Sequence, residues 1–106
     1  MDPRQALLDR LTALDAEDAA GRDAQATVEL DQQAVGRLSR MDALQNQAMA
    51  QAQARIRQAE RERIHATLQR MDDGNYGYCT DCGEQVEAKR LAADLTIPRC
   101  LDCTRG

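Results

Sequence analysis

Apolar residues recur along this chain at helical rather than strand spacing, and they do so in two blocks. In the first block Leu7, Leu11 and Leu14 fall on one stripe, with Leu8 beside it. Asp2 is placed to cap this helix, Pro3 suits its first turn, and Gln5 stands where a capping-box partner belongs. From Gly21, the first breaker, to Asp31 the pattern lapses into polar residues followed by the β-favouring pair Thr27-Val28. A helix over about 3–20 and a loop over about 21–31 are therefore expected.

The second block is longer. Asp31 can cap it, Val35, Leu38 and Met41 begin its stripe, Met49, Ala52, Ile56 and Ala59 continue it, and Ile64, Leu68 and Met71 finish it. This predicts one helix over about 32–73, with Gly36 as its interior breaker and a length of about 60 Å at 1.5 Å per residue. A helix of that length is not stable with one face bare. The first helix is expected to fold back along it as an antiparallel coiled-coil hairpin, its alanines permitting close approach. Asp72-Asp73-Gly74-Asn75 supplies the stop, with a residue able to take φ > 0. Residues 1–75 thus read as a hairpin and residues 76–106 as a small separate module, in a mainly α protein.

Composition agrees with a narrow seam rather than a globular centre. The chain has no Phe, no Trp and only two tyrosines, Tyr76 and Tyr78, which excludes a large aromatic core. The formal net charge is −4, so direct binding to duplex DNA is not expected.

The remaining module is organised by four cysteines in two C-x-x-C pairs, Cys79/Cys82 and Cys100/Cys103, separated by the 17 residues 83–99. Each pair places two thiolates on one tight knuckle, and the intervening loop lets the second knuckle complete a closed four-thiolate shell around a single structural Zn2+. Disulfides are the competing use of such pairs. No apolar signal segment follows Met1 and no stretch is long enough to span a bilayer, so a reducing cytoplasm is the expected compartment. A redox C-x-x-C would open a helix within a βαβ pattern, and none surrounds these cysteines. The stretch Val86 to Pro98 has room for a small strand and a turn of helix, too little to fold without metal.

No phosphate-cradling glycine loop, nucleophile with a partnered base or convergent carboxylate pair is present, so an enzyme is not expected. His65, the single histidine, reads as a surface or seam residue because the cysteines already complete the metal shell. Arg55, Arg57, Arg61 and Arg63, interleaved with glutamine and with Glu60 and Glu62, read as a solvated helix face.

The string Tyr76-Gly77-Tyr78-Cys79-Thr80-Asp81-Cys82-Gly83, followed by Lys89-Arg90-Leu91 and by Pro98-Arg99-Cys100-Leu101-Asp102-Cys103, resembles the zinc-finger signature of the DksA/TraR family. The acidic helix end Met71-Asp72-Asp73-Gly74 fits as well, so the resemblance covers residues 64 to 103. It implies a coiled-coil hairpin on a zinc-containing base, acting as a monomer on bacterial RNA polymerase. Such factors insert the hairpin into the secondary channel, place acidic tip residues near the active site and destabilise open complexes, often together with ppGpp in the stringent response. A zinc-stapled coiled-coil interaction module unrelated to transcription is the alternative reading.

The family tip motif D-x-x-D-x-A occurs here as Asp15-Ala16-Glu17-Asp18-Ala19-Ala20, ahead of Gly21. Asp31, at the expected start of the second helix, is the rival candidate, and Asp42-Ala43 would form the tip if the two helices were of similar length. Arg63, Lys89, Arg90 and Arg99 are candidate contacts to polymerase or ppGpp. Asp94 stands near a position where longer members tend to carry an arginine, and an acid there repels a polyphosphate.

Overall fold

A computed structural model of the protein describes residues 2–35 and 40–105, with side chains over 2–23 and 40–105. Two long helices, α1 (Pro3–Val35) and α2 (Arg40–Asp72), are followed by two short ones, α3 (Ala88–Ala93) and α4 (Leu101–Arg105). Among the described residues the only β feature is a single antiparallel bridge, Tyr78 to Gln85. The fold is the expected antiparallel hairpin joined to a four-cysteine module.

The start of α1 follows the sequence. The Asp2 carboxylate accepts the backbone N–H of Arg4 at 3.1 Å, and the Asp2 carbonyl accepts that of Ala6 at 3.1 Å. Gln5 does not close a capping box. Its amide donates to Asp9 at 2.8 Å, one helical turn onward.

The expected loop over 21–31 is helix, and α1 runs on to Val35. Asp31 therefore lies inside α1 and does not open the second helix, which begins by Arg40 instead of 32. Gly36 and Leu38 lie outside the described residues. Alanine, glutamine, arginine, leucine and glutamate make up most of 19–35, and a lone Gly costs a helix only about 1 kcal/mol, which such a majority of helix formers absorbs. The two helices are equal, 33 residues each and about 50 Å long at 1.5 Å per residue.

The described chain forms two compact units, Met1–Arg10 with Glu62–Gly106, and Leu11–Arg61, a division that differs from the expected break at 75. In the first unit Leu7 of α1 and Ile64 and Thr67 of α2 are buried. The Thr67 hydroxyl donates to the Arg63 carbonyl at 2.8 Å and accepts from the Arg70 guanidinium at 3.0 Å, so its burial leaves no polar group unpaired. Arg4 pairs with Asp72 at 2.7 Å, joining the start of α1 to the end of α2.

The second unit is built differently. Leu14 is fully buried, and Leu11, Asp18 and Gly21 of α1 are half-buried, as are Ala43, Ala50, Arg57 and Arg61 of α2. Recurrence at intervals of four and three along α1 (4, 7, 11, 14, 18, 21) and of seven along α2 (43, 50, 57) is a heptad seam whose members turn from leucine to alanine and charge. Arg57 and Arg61 belong to this seam and not to a solvated face, whereas Arg55 and Arg63 are exposed. Met41, Met49, Ile56 and Ala59, expected in the buried stripe, are exposed together with Leu44, because they fall off the 43/50/57 line of the seam, while Ala52 is half-buried.

Helix α2 stops where the sequence places the stop. The Gly74 N–H bonds the Met71 carbonyl at 3.2 Å and the Asn75 N–H bonds the Arg70 carbonyl at 2.8 Å, with Gly74 at φ +78°. These two reverse bonds form a Schellman cap, and the left-handed residue within it favours glycine.

Candidate metal centre

The first knuckle is a tight reversal. The Cys79 N–H donates to the Glu84 carbonyl at 2.7 Å, the Gly83 N–H returns to the Cys79 carbonyl at 3.0 Å, and Gly83 sits at φ +79°. The Asp81 N–H points at the Cys79 sulfur, 3.4 Å away, as expected where a thiolate needs donors. Cys100 precedes α4 and Cys103 lies within it. The Thr104 N–H and hydroxyl both donate to the Cys100 carbonyl, at 3.0 and 2.9 Å.

Several bonds hold the knuckles together and to the end of α2. Thr80 donates its N–H to the Pro98 carbonyl at 2.9 Å, and Val86 donates to the Gly77 carbonyl at 2.8 Å. Val86 is buried with Cys79 and Cys100, and Leu91, Ile97 and Cys103 pack against them. Tyr76 donates its hydroxyl to the Leu95 carbonyl at 3.0 Å, and Arg70 reaches the Thr96 carbonyl at 3.4 Å. Burial raises the Tyr76 hydroxyl above its ordinary value.

All four cysteine sulfurs lie within 4.8 Å of one another, and Cys82 and Cys100 are 3.7 Å apart. A tetrahedron with Zn–S bonds of about 2.3 Å has S···S edges of about 3.8 Å, whereas a disulfide needs about 2.05 Å. The donor set fits zinc and leaves no open coordination position, so the site is structural. Charge points the same way. Burial pushes the Cys79 thiol up, but backbone donors at Cys82, Cys100 and Asp81 outweigh it and bring it down to about 6. Its neighbours move the other way. Cys103 is raised by its contacts with Cys100, Cys79 and Cys82, and Cys82 is raised because its thiol contacts and burial outweigh the lowering by the Glu84 backbone. Four thiolates this close repel one another, and a divalent cation supplies the missing compensation.

The remaining candidates separate. Arg90 is internal: it donates to the Arg99 carbonyl at 3.3 Å and the Thr104 hydroxyl at 3.4 Å and lies 3.5 Å from Glu87. Arg99 is 3.6 Å from Asp81. Lys89 and Arg63 are exposed. Asp94 accepts the N–H and hydroxyl of Thr96 at 2.9 and 2.7 Å, which makes it a turn residue after α3. His65 is exposed on α2 and stands apart from the sulfur cluster.

Three of the tip candidates, Asp15, Asp18 and Ala20, lie well inside α1. Asp18 accepts Arg57 at 2.5 Å and Arg61 at 2.6 Å, and Arg61 also reaches Asp15 at 3.2 Å. The hydrogen bonds from Arg57 and then Arg61 hold the Asp18 carboxyl below its usual range. The heptad spacing of residues 4, 7, 11, 14 and 18 was the sequence signal for this seam aspartate. Asp31 stands in the last turns of α1 with its side chain outside the described residues, and Asp42 lies in the first turn of α2, exposed.

Residues 74–106 match the prokaryotic dksA/traR C4-type zinc finger. Over 53 residues the chain is 42% identical to an RNA polymerase-binding transcription factor DksA of Haemophilus influenzae, covering 45% of this chain and 37% of that protein. It is 38% identical over 53 residues to the DksA of Escherichia coli K12, covering 45% of this chain and 35% of that protein. The matched stretch thus spans little more than a third of those relatives. The structure of transcription factor DksA2 from Pseudomonas aeruginosa superposes with a TM-score of 0.86 at 18% identity, over 97% of this chain and 78% of that one, a likeness of fold.

Proposed function

We propose, on the match of residues 74–106 to the prokaryotic dksA/traR C4-type zinc finger, that the chain is a DksA/TraR-family factor that regulates transcription initiation by binding bacterial RNA polymerase. In this reading the hairpin enters the secondary channel, an acidic group at its end acts near the active site, and open complexes are destabilised. The protein works in the cytoplasm as a monomer holding one zinc, without contacting DNA itself.

The observation that carries this reading is the equal length of α1 and α2. It supports reading Asp42, in the first turn of α2, as near the hairpin end. Asp42-Ala43 is the tip we assign. Asp42 is exposed and has no hydrogen-bond or ion-pair partner among the described residues, as suits a carboxylate kept for another molecule. We assign no requirement for ppGpp. Arg90 and Arg99 are engaged within the module, which leaves Lys89 and Arg63 to meet a partner.

The test pairs binding with activity. Wild-type protein is expected to co-migrate with core polymerase and to shorten the lifetime of an unstable open complex in vitro, with or without ppGpp. Asp42→Asn keeps co-migration and loses the effect on lifetime. A protein that fails to bind core polymerase would leave the interaction module unrelated to transcription as the surviving account. A fully active Asp42→Asn would refute the tip.

A further inference from the structure

We infer that the cluster of Asp18 with Arg57 and Arg61 selects the register in which the two long helices pair. The apolar part of the seam cannot do this well. Leu7 and Leu14 occupy one heptad position, and Ile64 and Met71, also seven apart, occupy another, so a slip of one heptad in the direction that sets Met71 where Ile64 stood exchanges apolar for apolar. Ala43 and Ala50 repeat in the same way and carry even less shape.

A carboxylate reads the difference. Asp18 is 23% exposed and accepts from two guanidinium groups that are themselves 18% and 17% exposed, on successive turns of α2. A slip of one heptad in one direction would bring Ala50 and Ala54 to the heights of Arg57 and Arg61, and in the other Ile64 and Leu68. Neither pair has a donor. Asp18 would then lose both charge-assisted bonds while staying partly shielded from water, and the arginines would lose their acceptor. Gly21 lies beside the cluster, where a Cβ would make an ordinary van der Waals contact of 3.4 Å with the Arg57 guanidinium. Asp15, 76% exposed and 3.2 Å from Arg61, adds a weaker contact of the same sense.

Ion pairs of this kind contribute little net stability relative to well-packed apolar residues, and their specific use is to penalise the wrong pairings. Register matters here because it decides which residues stand at the turn.

The experiment measures register directly in the zinc-loaded full chain. Nitroxide labels on genetically encoded non-cysteine residues at the exposed positions 22 and 46 leave the zinc thiolates untouched, and pulsed EPR reads the distance between them. These positions stand at different heights, so a slip of one heptad, about 10 Å along the axis, moves the distance. Wild type gives one population. Asp18→Leu, with helix content retained, gives a second, displaced population; a single wild-type distance in this variant would overturn the inference. Should Asp18→Leu lose its helix content, Arg57→Ala/Arg61→Ala decides in the same way, because alanine favours the helix while removing both donors. Helix loss in both variants would also overturn it, since the cluster would then be holding the hairpin together and not choosing its register.

Discussion

Leu14 and Leu8 are the same residue type on the same helix, and the structure assigns them very different energies. Leu14 is fully buried, 0% exposed, while Leu8 is 41% exposed. Leu14→Ala removes three buried carbons, worth about 2.4 kcal/mol at about 0.8 kcal/mol per methylene. The unfilled space raises the total to about 3–4 kcal/mol, and the better helix propensity of alanine offsets only about 0.2 kcal/mol. Leu8→Ala already exposes much of what it removes, so its expected cost is about 1 kcal/mol. At about 4–8 °C per kcal/mol for a chain of this size, Leu14→Ala lowers Tm by more than about 10 °C and Leu8→Ala by about 5 °C. Far-UV circular dichroism during thermal and urea unfolding, with zinc held in place, measures both. Equal costs for the two variants, or a cost below about 1 kcal/mol for Leu14→Ala, would refute the seam as described.

Cys100→Ser should abolish the single zinc and the order of residues 76–105 while leaving most of the helical signal, as read by metal analysis and hydrogen exchange. Gly74→Ala meets no atom within 4 Å but must hold φ near +78°, so a cost of about 1–2 kcal/mol, seen in urea denaturation, is expected from backbone strain alone. Asp18 has a lowered folded pKa, so its contribution is present above the unfolded value of about 3.9 and is lost as pH falls through the folded value. Acid titration should therefore show wild type losing stability below about pH 4, with a shallower acid limb in Asp18→Asn.

The ends of the elements were legible because they depend on local chemistry: Asp2-Pro3 at the start of α1, Gly74 at the end of α2, and the C-x-x-C knuckles with Gly83. The middle of the hairpin was not. A stripe of leucines announces a seam, but Asp18, Gly21, Arg57 and Arg61 announce a breaker and a wet surface until the partner helix is in place. For the same reason Met49 and Ile56 looked like core. Their outward position follows from which side of α2 meets α1, a tertiary fact absent from either periodicity alone. The extent of α1 shared that fate, since it continues through Gly21, a glycine that local rules treat as a stop.

The two tyrosines have an experimental consequence. They are the chain's entire aromatic complement, and both lie in the segment joining α2 to the first knuckle, with Tyr76 held at the Leu95 carbonyl and Tyr78 bridged to Gln85. Near-ultraviolet dichroism and intrinsic emission therefore originate beside the metal and are silent about the hairpin, while the far-ultraviolet signal is dominated by α1 and α2. One unmodified sample thus carries two separate optical reporters, and chelation and helix melting can be timed against each other without adding a label.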